Sequence, residues 1–118
     1  MFGYPPEVRI RTRRRYLDIQ NGGRRINTRH FIVFMLPGQT ERCRLGITAS
    51  RRVGNSVHRN RWKRIMREAF RQVQNEIHAC IDMVFIVRRG VGFPTSLQAR
   101  HEILIAANKW IEDVRAGS

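Results

Sequence analysis

The chain has 118 residues, 42% of them hydrophobic and 27% charged, which fits one folded domain and excludes both a disordered chain and two domains with separate cores. Basic residues number 23 against 9 acidic, and all but Lys63 and Lys109 of the 23 are arginine. Planar guanidinium forks suit bidentate phosphate contacts and stacking on bases, so the expected partner is a polyanion, nucleic acid first and anionic membrane second.

No run approaches the roughly 18 consecutive apolar residues of a spanning helix. The N-terminal MFGYPPEVRIRTRRR has no apolar segment following a charged one, which argues against secretion and membrane insertion by the ordinary routes and for the cytoplasm. Residues 1–9 are a candidate flexible arm. Over residues 12–21, Tyr16, Leu17 and Ile19 predict a short helix with Arg13, Arg14 and Arg15 outward, stopped by Gly22-Gly23. Residues 30–36, HFIVFML, are β-branched and aromatic and end at Pro37-Gly38, the pattern of a strand running into a hairpin. Residues 42–49, RCRLGITA, alternate Arg44, Gly46 and Thr48 with Leu45, Ile47 and Ala49, the pattern of a half-buried strand expected to pair antiparallel with the first.

After Gly54-Asn55 the period lengthens. Val57, Trp62, Ile65, Met66, Ala69, Phe70, Val73 and Ile77 recur at three and four residues, predicting a helix over residues 56–78 with Asn55 or Ser56 as its cap. Residues 83–87, MVFIV, form a fully apolar and therefore central strand. Thr95 and Gln98 make a capping-box signature ahead of a closing amphipathic helix that carries Leu97, Ile103, Leu104, Ala107, Trp110, Ile111 and Val114. Cys43 and Cys80 lack metal-site spacing, and two free thiols in a reducing compartment are expected.

Net charge is +5 over residues 1–41, +9 over 42–71 and 0 over 72–118. The arginines alternate with apolar residues at structural spacings, so they belong to folded elements and not to a low-complexity tail. One layer of helices on one sheet suffices for a core of this size. The other sheet face, with Arg44, Gly46, Thr48 and either Phe31 or Phe34, is left open to a ligand, and aromatics beside arginines on such a face commonly hold single-stranded nucleic acid.

Residues 51–71, RRVGNSVHRNRWKRIMREAFR, carry the densest cationic pattern. Gly54 and Asn55 permit a tight turn that brings Arg51 and Arg52 toward the first helical turns with Arg59 and Arg61, so that guanidinium groups and helix amides converge on an anion. A catalytic role for His58 is disfavoured because no carboxylate stands near it in sequence to orient it, and Glu68 is isolated among cations. Trp62 and Phe70 fall on the apolar stripe and are expected in the core. The segment resembles the signature of the bacterial ribonuclease P protein component through Gly54, Val57, Arg59-Asn60-Arg61, Lys63, Arg64 and Arg67. The resemblance extends over roughly residues 10–115, through GITASRRVGN, Arg88-Arg89 and the closing helix. Ser56 stands where that family often has alanine, and an aromatic often found near Gln20 is absent, leaving Tyr16 as the aromatic of the first helix.

The resemblance implies a single α+β domain over residues 1–118, an αβββαβα sandwich similar to the second domain of small-subunit ribosomal protein five, with a left-handed βαβ crossover. Its third strand before the long helix is implied by the resemblance alone. It also implies a subunit that binds the ribonuclease P RNA through Arg51, Arg52, Arg59, Asn60, Arg61, Lys63, Arg64 and Arg67. Tyr16, Phe34, Arg44 and Thr48 would face the 5′ leader of precursor tRNA. Catalysis would then rest on RNA and Mg²⁺, with no metal held by this chain alone, no membrane and no obligate protein partner evident. A plain RNA-binding or ribosomal-type structural protein is the competing expectation.

Overall fold

The computed structural model describes residues 9–117; the expected arm falls almost entirely in residues 1–8, outside the described residues. The elements follow in the order α1 (Arg13–Gly22), β1 (Arg24–Asn27), β2 (Phe31–Pro37), β3 (Arg44–Thr48), α2 (Ser56–Val73), β4 (Ile81–Val87) and α3 (Ser96–Arg115). They form one α+β domain around a four-stranded sheet in the order β1-β2-β4-β3.

That order corrects the expected antiparallel pairing of β2 with β3. Strand β4 lies between them, antiparallel to β2 and parallel to β3, with α2 making the crossover from β3 to β4. The physical reason is the composition of β4: Met83, Val84 and Phe85 are all buried, so both of its faces and both of its edges need cover. The strand that periodicity misses is β1, whose sequence RRIN offers only Ile26 as an apolar residue and gives no alternation to read. It pairs antiparallel with the outer edge of β2. At the opposite edge, Arg9 bridges to Leu45 of β3, and Ile10 N–H donates to the Leu45 carbonyl.

A second correction concerns the sheet face expected to be open. Helices α2 and α3 cover one face, where Phe31 meets Trp62 and Phe85 edge-on at 5.7 and 5.3 Å between centroids. Helix α1 lies on the other, burying Ile19 with Ile10 and Val84 against Tyr16, Phe34, Leu36 and Ile86. A central strand apolar on both sides cannot leave one side in water. Trp62 and Phe70 are in the core as expected.

Helix ends follow local chemistry. Thr12 caps α1 by accepting from Arg15 N–H, Asn55 caps α2 by accepting from His58 N–H, and Thr95 with Gln98 completes the capping box of α3. The long helix stops at Val73, short of the expected residue 78, and tightens into a 3₁₀ turn over Gln74–Glu76 that still delivers Ile77 to the core. Both cysteines are free, Cys43 buried and Cys80 exposed. Burial, followed by the charge of Asp82, pushes the Cys43 thiol up to about 12.

Two buried carboxylates tie the layers together. Glu102 of α3 accepts from His30 N–H at 2.8 Å and contacts His30 Nδ1 at 2.6 Å, joining α3 to the start of β2. Asp82 of β4 has no exposed side-chain surface and holds two arginines: Arg15 Nε at 2.8 Å, and Arg44 through Nε at 2.9 Å and a terminal nitrogen at 2.6 Å. Arg15, expected to point outward with Arg13 and Arg14, therefore turns into the sheet. A further donor of Arg15 reaches the Pro37 carbonyl at 2.9 Å. Asp82→Asn is expected to cost about 3–5 kcal/mol in denaturant unfolding, the range for a buried ion pair that loses one partner. A loss near the ~0–1 kcal/mol of a surface pair would show that Asp82 does not hold α1.

Candidate nucleic-acid interface

The cationic segment begins with a 3₁₀ turn, Arg51–Val53, that exposes Arg51 and Arg52. Gly54 follows at φ 143°, in the region open to glycine, and a Cβ there would come within 2.7 Å of His58 Cβ. Helix α2 then starts at Ser56. At about 100° per residue, Arg59, Lys63 and Arg67 form one row along α2, flanked by Asn60 and Arg64. Arg59 is half-buried and its Nε is enclosed without a hydrogen-bond partner, while Asn60, Arg64 and Arg67 are exposed.

Arg61 does not join that row. It stands about 200° round the helix from Arg59, with its guanidinium carbon 4.3 Å from the centroid of the Phe93 ring. His58 is exposed; its Nδ1 lies 3.0 Å from Asn55 Oδ1, and its ring stacks on Phe93 at 5.7 Å. The expected RNA-facing residues therefore occupy two flanks of α2 and the turn before it.

The second part of the interface lies between α1 and the sheet. Strand alternation sends Phe31 into the α2/α3 core and Phe34 to the α1 face, which resolves the two alternatives in favour of Phe34. On that face a row crosses the sheet from Arg25 through Phe34 and Val84 to Gly46, and the next row ends on Thr48. Arg25 lies over the Phe34 ring at 5.9 Å. Tyr16 of α1 sits directly above Gly46, where a Cβ would come within 2.6 Å of its hydroxyl, so glycine allows the ring to rest on the strand. Burial raises the Tyr16 phenol above its ordinary value. A backbone hydrogen bond from Ile47 and the charge of Arg67 act in the opposite direction.

Beside Tyr16 a cleft of about 400 Å³ is lined by Arg11, Arg13, Leu17, Gln20 and Thr48. Its walls offer an aromatic face, a hydroxyl, an amide and two guanidinium groups. Arg44 stands on the same face but commits Nε and one terminal nitrogen to Asp82, and its accessible role is narrower than alternation alone implies. Hydrogen bonding to Asp82, the largest influence, raises its pKa and keeps it charged. Sequence reading missed Asp82 and Phe93, the inward turn of Arg15, and the seating of the Tyr16 ring on Gly46. The one signal for Asp82 was a single acid inside the apolar run IDMVFIV.

Among the described residues no three His, Cys, Asp or Glu side chains come together as a metal site. The carboxylates are dispersed: Asp82 and Glu102 are buried in pairs, Glu68 meets Arg71 at 3.0 Å, and Asp113 meets Lys109 at 3.2 Å. Among the described residues, therefore, carboxylates do not converge on one point as the ligands of a divalent cation do. No helix among the described residues is long and apolar enough to cross a membrane.

Comparison with known proteins places this geometry. A family model described as Ribonuclease P matches residues 4–110. The chain is 38% identical over 102 residues to the ribonuclease P protein component of Desulforapulum autotrophicum, covering 86% of this chain and 87% of that one. The solved RNase P protein of Thermotoga maritima superposes with a TM-score of 0.75 at 28% identity, over 86% of this chain and 96% of that structure. That of Staphylococcus aureus gives 0.71 at 30% identity, over 88% and 94%. By the family model and the identity to these relatives, the chain belongs to the ribonuclease P protein family and is the protein subunit of an enzyme of tRNA 5′ maturation.

Proposed function

We propose that the chain divides its two surfaces between two RNAs: α2 and the turn before it bind the RNA subunit of ribonuclease P, and the cleft between α1 and β3 holds the 5′ leader of precursor tRNA. The observation that carries this reading is the placement of Tyr16 and Thr48 in a cleft lined by Arg11 and Arg13, with Arg67 the member of the α2 row whose charge acts on the Tyr16 phenol. An unpaired leader offers base faces to Tyr16 and Phe34, a 2′-hydroxyl or base edge to Thr48 and Gln20, and phosphates to Arg11 and Arg13. Arg44, held by Asp82, adds positive charge on the same sheet face, at the other end of β3 from Thr48.

Hydrolysis in this reading is carried by the RNA subunit with Mg²⁺; this chain binds, aligns and neutralises. The dispersal of its carboxylates supports that division, because a two-metal site needs several converging on one point. Reconstitution with the cognate RNA subunit tests it. The chain alone is expected to leave precursor tRNA intact, and the reconstituted particle to release the leader. RNA binding with no effect on leader removal would instead make the chain a structural RNA-binding protein.

If the α2 row contacts phosphates of the RNA subunit, affinity falls with salt by a log-log slope of roughly −0.7 to −0.9 per contact. Arg59→Ala is expected to flatten that slope by about one such contact, as measured by titration from low to high salt. An unchanged slope would move the contact elsewhere.

Leader recognition has a separate signature. Tyr16→Ala and Phe34→Ala are expected to weaken binding of leader-carrying precursor tRNA by about 1–3 kcal/mol per lost stacking contact and to spare mature tRNA. Gly46→Ala should copy Tyr16→Ala, because its methyl group displaces the ring, and the double variant should be no worse than either single one. Affinities of the reconstituted particle for both tRNAs at one salt and Mg²⁺ concentration measure this; equal losses for the two would assign the rings to the fold.

A further inference from the structure

The connection from β4 to α3, residues 88–95, brings one aromatic ring against α2. Phe93 is half-buried and is followed by the buried Pro94 and by the capping box that starts α3, so its backbone is held on the C-terminal side. Its ring packs on Trp62 at 5.1 Å, stacks with His58 at 5.7 Å and 18° between planes, and carries the Arg61 guanidinium at 4.3 Å. Residues 58, 61 and 62 share one flank of a helix, so a single ring can meet all three.

We infer that Phe93 is a positioning residue for RNA binding: it holds the Arg61 guanidinium over its π face, so that α2 presents to RNA a second, preset cationic flank separate from the Arg59–Lys63–Arg67 row. This rests on the reading that α2 contacts the RNA subunit. Arg61 is exposed, and its guanidinium rests against the Phe93 ring. A guanidinium with one face on a ring keeps its N–H edges in plane and outward, where they can fork onto a phosphate. An unsupported arginine loses rotamer freedom when it binds; one already resting on an aromatic ring has lost part of it beforehand. The two flanks are independent in structure, one beside the sheet edge and the α1 cleft, the other against the loop before α3. A contact through both would fix the rotation of α2 about its own axis on the RNA, which a single row of cations leaves free.

The test measures affinity of the full chain for its cognate RNA subunit at fixed salt and Mg²⁺, for Arg61→Ala, Phe93→Leu, Phe93→Tyr and the double variant Arg61→Ala with Phe93→Leu. Phe93→Leu is expected to weaken binding by roughly two- to tenfold, the factor a cation–π contact supplies. It should weaken it no further when Arg61 is already alanine, and Phe93→Tyr, which keeps the ring, should bind as the parent does. Phe93→Met, of similar bulk and without a ring, takes the place of Leu if that variant unfolds. A loss from Phe93→Leu that persists in full in the Arg61→Ala background would make Phe93 a packing residue and overturn the inference. So would a loss from Arg61→Ala that Phe93→Leu does not share. Unchanged affinity in Arg61→Ala, with Arg59→Ala still weakened, would remove Arg61 from the interface and the inference with it, while leaving the α2 row as the RNA contact.

Discussion

The Asp82 carboxylate, without exposed surface in the central strand, is the constraint on which the rest of the structure depends. A buried charge of this kind persists only if it is paired and hydrogen-bonded. Here its partners come from two elements distant in sequence, Arg15 in the first turn of α1 and Arg44 at the start of β3. The first partner fixes where α1 lies along the sheet. The second stands directly beside Asp82 in the β3/β4 register, so a slip of one residue would send Arg44 to the opposite face. Two arginines on one carboxylate also leave a net positive charge on the sheet face that carries α1, so the contact that closes the fold adds to the cationic character of that face.

With α1 fixed, the remaining geometry follows from the two-sided burial of β4. One face takes the large core under α2 and α3. The other takes a smaller cluster around Ile19 and Val84, too small to cover the whole sheet, and the uncovered strip beside Tyr16 and Thr48 becomes the cleft. Gly46 is the point at which sequence, packing and site meet: it lies under the Tyr16 ring, and a side chain there would lift the ring away. Because the crossover helix α2 packs beside β3, the charge of its Arg67 acts on the Tyr16 phenol. The two proposed RNA surfaces thereby adjoin, as they must if a leader and the RNA subunit are held together.

Much of this was legible in the chain because the signals were local. The stripe through Trp62, Met66 and Phe70, the Asn55 and Thr95 caps, and the apolar run of β4 each depend on neighbours within a turn or a strand, and each lies where spacing placed it. What was illegible depends on partners far apart. The side chains of Arg15 and Arg44 meet Asp82 across 67 and 38 residues, and nothing in RRR or RCR distinguishes a buried arginine from an exposed one. Strand β1 escaped because three of its four residues are polar. The pairing of β2 with β3 was misjudged because adjacency in sequence was weighed above the need of β4 for two neighbours. Alternation established that Phe31 and Phe34 face opposite ways, yet only the packed core decides which is buried. The separation of Arg61 from Arg59 was available from helical geometry, whereas the ring that holds Arg61 arrives from a loop about thirty residues later, and no spacing rule reaches that far.

The central claim is that the leader lies in the cleft between α1 and β3. A precursor tRNA with a photoreactive base in its leader, cross-linked within the reconstituted particle and mapped by peptide mass, addresses it directly. Attachment within residues 11–20 and 44–48 is the predicted result. Attachment confined to α3, on the far side of the sheet, would contradict it.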